Sequence, residues 1–393
     1  MVERLPLFER KISKKIAEQR LRAVSEAINL HVAHEPEPGF LTGLAGEALF
    51  LYTYGRWTGS SRCENGGFLA LERAMEMINK GFSWPSFAAG LAGIRFTLRY
   101  LASRGHIGEA DGRALDDIRP YLYEFADRRF AAGDYDFLHG ALGMYIGSDR
   151  YMAHSDVIAK IGALAVPQGE GRVAWESKHP QTGENEINLG LAHGVPSVLW
   201  SLSQLEADPV RDRLLNEGMS FVLSQRQESA PNGSVFPHRL VGGRPDKAGR
   251  LALCYGDPGV GAALWQIGQR CGRPDWQADA IGILRKAASR RAAEPNRVHD
   301  ACLCHGTAGL ALIFYKMALL TGHDELLDAA GWWAGATLDH GNSPNAPAGY
   351  LFLTTGDRRV PNHSLLEGIA GVGLTLLALL DAETMGWEQG IML

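Results

Sequence analysis

The chain reads as an all-α protein, an α/α toroid of seven helix-pair repeats, and three observations predict this. A glycine-bearing turn recurs seven times along the 393 residues. Each copy is followed by a strongly apolar stretch of helical length and preceded by a more amphipathic one. Alternating β-branched runs between hairpin turns, the mark of strands, are sparse.

The copies in order are FLTGLAG (Gly43, Gly46), FAAGLAG (Gly90, Gly93), FLHGALG (Gly140, Gly143), LAHGVPS (Gly194), LCYGDPG (Gly256, Gly259), LCHGTAG (Gly306, Gly309) and LLEGIAG (Gly368, Gly371). Successive first glycines are 47, 50, 54, 62, 50 and 62 residues apart, a period that identifies a repeat architecture. The stretches after the turns, among them EALFLYTYG, AALWQIGQRCG and VGLTLLALLDAE, are apolar nearly all round, as buried helices are. Those before them, such as ERKISKKIAEQRLRAVSEAINLHVA and PVRDRLLNEGMSFVLSQRQ, carry charges that suit an outer face. An open solenoid needs polar terminal repeats, yet SLLEGIAGVGLTLLALL is as apolar as the middle copies. Closure is therefore expected, with seven inner helices ringed by seven outer ones in a single domain over 1–393. The glycines should open the inner helices, where a tight turn asks for φ freedom and close backbone approach. All seven turns then gather at one end.

Composition narrows the function classes. Apolar content of 46%, charged content of 21% and a formal net charge of −5 describe an ordinary globular protein. No basic run offers to neutralise phosphates, so nucleic acid is not an expected partner. The opening MVERLPLFERKISKK lacks the apolar core of a signal peptide, and no apolar run approaches the roughly 20 residues that span a bilayer. A cytoplasmic location is expected, where the five cysteines stay thiols or bind metal.

If the turns converge, the residue before each first glycine faces a shared mouth: Thr42, Ala89, His139, His193, Tyr255, His305 and Glu367. Chemistry therefore concentrates in repeats three to seven. Cys254 and the Cys304-His305 pair fall in register on consecutive repeats. Two thiolates and an imidazole are three good zinc ligands that leave a fourth position open, the catalytic kind of site. The bland alternative is that both cysteines are small buried hydrophobes. Cys302 is a spare candidate ligand that falls out of register.

Together, the seven turns, CYGDPG, CHGTAG and LGLAHG (Leu189 to Gly194) resemble the lanthionine synthetase C-like (LanC-like) family over essentially the whole chain. The resemblance implies a double seven-helix toroid with one Zn2+ per chain, held by Cys254, Cys304 and His305. It also implies a catalytic His193 in the AHG motif, an acid at Asp136 in YDFLHG, an arginine at Arg250 and a tyrosine at Tyr255. Two departures concern turn packing: Leu253 stands where the family often has Trp, and Ser197 where a second glycine is expected. The implied activity is cyclisation of a dehydrated precursor peptide by adding cysteine thiols across dehydroalanine or dehydrobutyrine. The cyclase is expected to be standalone, with a lanthipeptide dehydratase as a candidate partner. Other readings are addition of glutathione or another small thiol to dehydroamino acids, or a zinc-stabilised peptide-binding scaffold.

Each candidate also has a structural reading. Asp136 either charges a histidine or caps a turn; Arg250 either stabilises an enolate or forms a salt bridge; Tyr255 either bonds near the metal or packs. His139 and Glu367 are rim residues open to substrate contact or to a structural role. Three long Gly/Pro-rich connections, before repeats four, five and seven, either border the mouth or are plain surface insertions.

Overall fold

Six of the seven first glycines become the N-caps of helices: Gly43 for Leu44–Thr58, Gly90 for Leu91–Ser103, Gly194 for Val195–Ser203, Gly256 for Asp257–Arg270, Gly306 for Thr307–Thr321 and Gly368 for Ile369–Leu380. The seventh, Gly140, precedes a helical turn that runs as π-helix over Gly143–Gly147. The computed structural model describes residues 13–147, 155–178, 183–354 and 356–393. Residues 9–12 of the first outer stretch and 179–182 of the connection before repeat four lie outside the described residues.

These helices are buried as their composition requires. All nine residues of Val195–Ser203 are buried, as is every residue from Ile369 to Leu379. Each fully buried leucine there contributes on the order of 1.5–3 kcal/mol. The outer helices bury one stripe: Lys14–His31 hides Ala17, Leu21, Val24 and Ile28, spaced at one helical face.

The glycines do not need unusual φ values. The six N-cap glycines have φ between −105° and −162°, which any residue adopts. What they need is space. A Cβ on Gly143, Gly259 or Gly309 would stand 1.9 Å from the carbonyl oxygen six residues earlier. In the fourth repeat, Ser197 fits because its buried hydroxyl donates to the Gly194 carbonyl at 2.8 Å.

By backbone contacts the chain falls into two units. The first comprises the chain up to Trp84, Ala88–Asp116 and Val298–Glu388; the second is Pro85–Phe87, Asp117–Arg297 and Gln389–Leu393. In the first unit two inner helices pack most extensively on the outer helix that follows, Leu44–Thr58 on Ser61–Asn79 and Thr307–Thr321 on Asp324–His340. The packing unit is thus inner then outer helix, one step out of phase with the sequence repeat. Consequently the first outer helix, Lys14–His31, has no inner helix before it and packs on the last one, Ile369–Leu380. The turns are also tied by backbone at the position two before the first glycine. Cys304 N–H donates to Leu366 O at 3.0 Å, Leu366 to Leu41 O at 3.0 Å, and Leu41 to Ala88 O at 2.8 Å. Repeat seven is bonded directly to repeat one, as closure requires.

In the second unit Asp257–Arg270 packs on Pro274–Ala288, and the same tie recurs where Ala192 N–H donates to Cys254 O at 3.2 Å. The long connections there carry short antiparallel strands that the sequence conceals, because each is two to four residues long. Ala165–Pro167 pairs with Val173–Trp175, and a four-stranded sheet runs in the order Ser177–Lys178, Asn185–Asn188, Arg239–Val241, Arg244–Pro245. Ile187 stands opposite Leu240. Buried Asp257 anchors the connection before repeat five: it accepts the Val235 and Phe236 N–H groups at 2.9 and 3.1 Å and pairs with buried Arg290. In the first unit, the connection before repeat seven forms the Phe352–Leu353 and Arg359–Val360 pair. No helix among the described residues is long and apolar enough to cross a membrane.

Candidate functional site

The turns share an internal hydrogen-bond code. Six residues before the first glycine, Asp134, Asn188, Asp300 and Asn362 each accept, through a side-chain oxygen, the N–H two residues on, at 2.8–3.0 Å. Four before it, Asp136, Cys302 and Ser364 each accept the N–H of the residue preceding the glycine. Such local bonds fix a turn without secondary structure. They place Cys302 in the register of Asp136, four before the glycine and outside that of Cys254 and Cys304. The Cys302 Sγ, buried and pushed well up in pKa by that burial, accepts the His305 N–H at 3.4 Å. Cys302 is a turn residue.

Asp136 combines both roles considered for it. Its Oδ1 accepts the His139 N–H at 2.6 Å and its Oδ2 meets His193 Nδ1 at 2.5 Å. Burial works against charge on both partners, but their mutual hydrogen bond wins: it holds the Asp136 carboxyl low and raises His193. The hydrogen bond therefore favours the carboxylate–imidazolium form of the pair. The His193 ring lies 5.6 Å from that of Tyr255 and 6.0 Å from that of His139. Burial pushes the Tyr255 phenol up, so it stays protonated, and pushes His139 down.

Asp136, His193 and Tyr255 line a cavity of about 430 Å³ in the second unit, with Asn188, Glu186 and Arg239 on its walls. The last two are functional candidates that the sequence reading missed. Glu186 is buried and bonded to Arg239 at 2.6 Å, across the strand pair that brings the two connections together. Their only sequence signal was a charged residue within a short alternating run, NEIN and RLV. Close by, His238 packs edge-on to Tyr255 at 4.4 Å, and burial with neighbouring Arg239, Arg297 and Arg250 pushes its pKa down to about 3. It is a neutral imidazole.

Arg250 is not among the cavity residues. It stands in repeat five at the place held by Asp or Asn in repeats three, four, six and seven, and its Nη2 donates to the Arg297 carbonyl at 2.5 Å. Cys254 is buried in the second unit two residues before Gly256; Cys304 and His305 hold the matching register before Gly306 in the first. Glu367 is exposed in the first unit, its N–H held by Ser364 Oγ at 3.4 Å.

Helical repeats opened by glycine turns, with thiols and imidazoles in register on those turns, define the class. Residues 36–391 match the family model described as lanthionine synthetase C-like protein, and the chain belongs to that family. Among solved structures it is similar to one titled nisin cyclase, with a TM-score of 0.77 and 19% identity over 96% of this chain and 98% of that one. At that identity the likeness shows the fold, and with it the all-α toroid class.

Proposed function

We propose that the protein is a zinc-dependent lanthipeptide cyclase, adding the cysteine thiols of a dehydrated precursor peptide to dehydroalanine or dehydrobutyrine to form thioether rings. Family membership supports the reaction class, and the Asp136–His193 pair on the wall of a cavity is the observation that carries it. On this reading the protein works in the cytoplasm, downstream of a dehydratase.

On the family pattern the zinc ligands are Cys254, Cys304 and His305. Two thiols and one imidazole suit zinc and leave a position for a fourth ligand. When bound, the zinc supplies Lewis acidity that lowers the pKa of a thiol otherwise near 8.5.

The protein's own groups handle the proton. Addition breaks the S–H bond, releasing its proton to solvent, forms a bond from sulfur to the β-carbon, and leaves the α-carbon to take a proton from His193, which solvent then recharges. His193 is the acid for that last step. Its Nδ1 is held by Asp136, leaving Nε2 to deliver the proton, and the carboxylate keeps the ring charged until it does. Tyr255, protonated and beside His193, is a neutral donor available to the developing oxyanion. Glu186 and Arg239 offer opposite charges to peptide groups entering the cavity.

The test uses a synthetic peptide with one dehydroalanine and one cysteine, followed by mass spectrometry after thiol alkylation, because ring closure changes no mass. Loss of the alkylatable thiol with wild-type protein, and its persistence with His193→Ala, supports the assignment. Wild-type rates in His193→Ala refute it.

A further inference from the structure

The first unit contains a cluster that the cyclase reading does not use. His31 Nδ1 lies 2.8 Å from Glu47 Oε1 and 3.6 Å from Glu35 Oε2. One donor atom from each of the three residues lies within 4.8 Å of the other two. Both carboxylates are buried: Glu47, in the first turn of the Leu44–Thr58 helix, is 0% exposed and Glu35 is 7% exposed.

The hydrogen bonds do not satisfy these groups. Glu35 Oε1 accepts the Glu37 N–H at 2.8 Å, and Glu47 Oε1 is taken by His31. Glu47 Oε2 is buried without a hydrogen-bond partner. Arg73, a nearby cation, donates instead to the Val32 carbonyl. Burial pushes the Glu47 carboxyl up to about 7, the mark of a buried carboxylate that calls for a proton or a counter-charge.

The geometry points to a metal site in which His31 Nδ1 and one oxygen each from Glu35 and Glu47 hold a divalent first-row transition ion. It shares no residue with the zinc set of Cys254, Cys304 and His305. The 2.8 and 3.6 Å spacings from His31 Nδ1 to the two carboxylates are those of ligands that share one ion at about 2.0–2.2 Å. Mixed imidazole and carboxylate ligands suit zinc, cobalt, manganese or iron; calcium asks for six to eight oxygens. A divalent ion with neutral imidazole and two carboxylates is a neutral assembly, and it gives Glu47 Oε2 the partner it lacks. The ligands are also held in place. The ring of His363 stacks on His31 at 3.7 Å and 8°, and the Glu37 N–H fixes Glu35. The His31 side chain keeps 25% exposure, a route for the ion.

Cobalt(II) is the probe. Full-length protein stripped with a chelator is titrated with Co2+, desalted, and read by elemental analysis and optical spectrum. Thiolate ligands give Co2+ a charge-transfer band that imidazole and carboxylate do not, so the two sites are counted separately. Two ions per chain are expected in the wild type. One should be lost in Glu47→Gln and in His31→Gln while the thiolate band persists, and the band alone should vanish in Cys254→Ala. His31→Gln, at a partly exposed position, carries the test if Glu47→Gln does not fold. A single ion lost with Glu47 and showing no thiolate band would support this site and sink the zinc set. A single ion with the thiolate band, or a second ion that survives both substitutions as an adventitious ion only, overturns the proposal.

Discussion

Asp136 and His193, 57 residues apart and on neighbouring turns, meet at 2.5 Å through Oδ2 and Nδ1. The carboxylate comes from the position four before its glycine and the imidazole from the position one before the next repeat's. Two registers of one motif thus complete each other across a repeat boundary.

Removing the acid tests the chemistry directly. His193→Ala should slow ring closure by about 10²–10⁴-fold, while its circular dichroism stays that of the wild type. Asp136→Asn should cost less, because the imidazole remains. NMR titration of His193 in that variant should show its pKa falling from its raised value.

The same pair makes stability depend on pH in a defined direction. The raised His193 contributes stability below its unfolded value near 6.5 and loses it as pH rises through the folded value. The lowered Asp136 contributes above its unfolded value near 4 and loses it as pH falls. The melting-temperature gap between wild type and Asp136→Asn should therefore be widest between about pH 4 and 6.5 and shrink on either side. A gap that grows above pH 7 would contradict the charged pair.

Zinc content should separate the cysteines. Cys254→Ala and Cys304→Ala should each lose one metal ion per chain by elemental analysis. Cys302→Ser should keep it, since that thiol accepts the His305 N–H within its own turn.

Packing at the turns can be tested without touching the site. Gly309→Ala places a methyl 1.9 Å from the Leu303 carbonyl and should lower stability by about 1–3 kcal/mol or more in urea unfolding. Gly282→Ala, in the outer helix Pro274–Ala288 with nothing within 4 Å, should be neutral or gain about 0.5–1 kcal/mol.

The fold was legible because its signals are local and repeated: a glycine pair every 47 to 62 residues and a change from amphipathic to wholly apolar helix. The phase of the packing was not, since nothing in a linear repeat says whether an inner helix pairs forwards or backwards. Within the site, His193 and Tyr255 could be found from register, and Asp136 from the family resemblance. The Asp or Asn six before the glycine in repeats three, four, six and seven was equally visible as a recurring letter. Glu186 with Arg239, and His31 with Glu47, depend on contacts between elements that carry no periodic signature.

The backbone ties two residues before each glycine have a further consequence. Leu41, Ala88, Ala192, Cys254, Cys304 and Leu366 occupy equivalent places, and the bonds recorded there are made by N–H and C=O groups. Side-chain identity at that place is thereby uncoupled from assembly. The same socket accepts a leucine in one repeat and a cysteine in another, so new side chains can be installed at the turns one letter at a time while the scaffold stays the same.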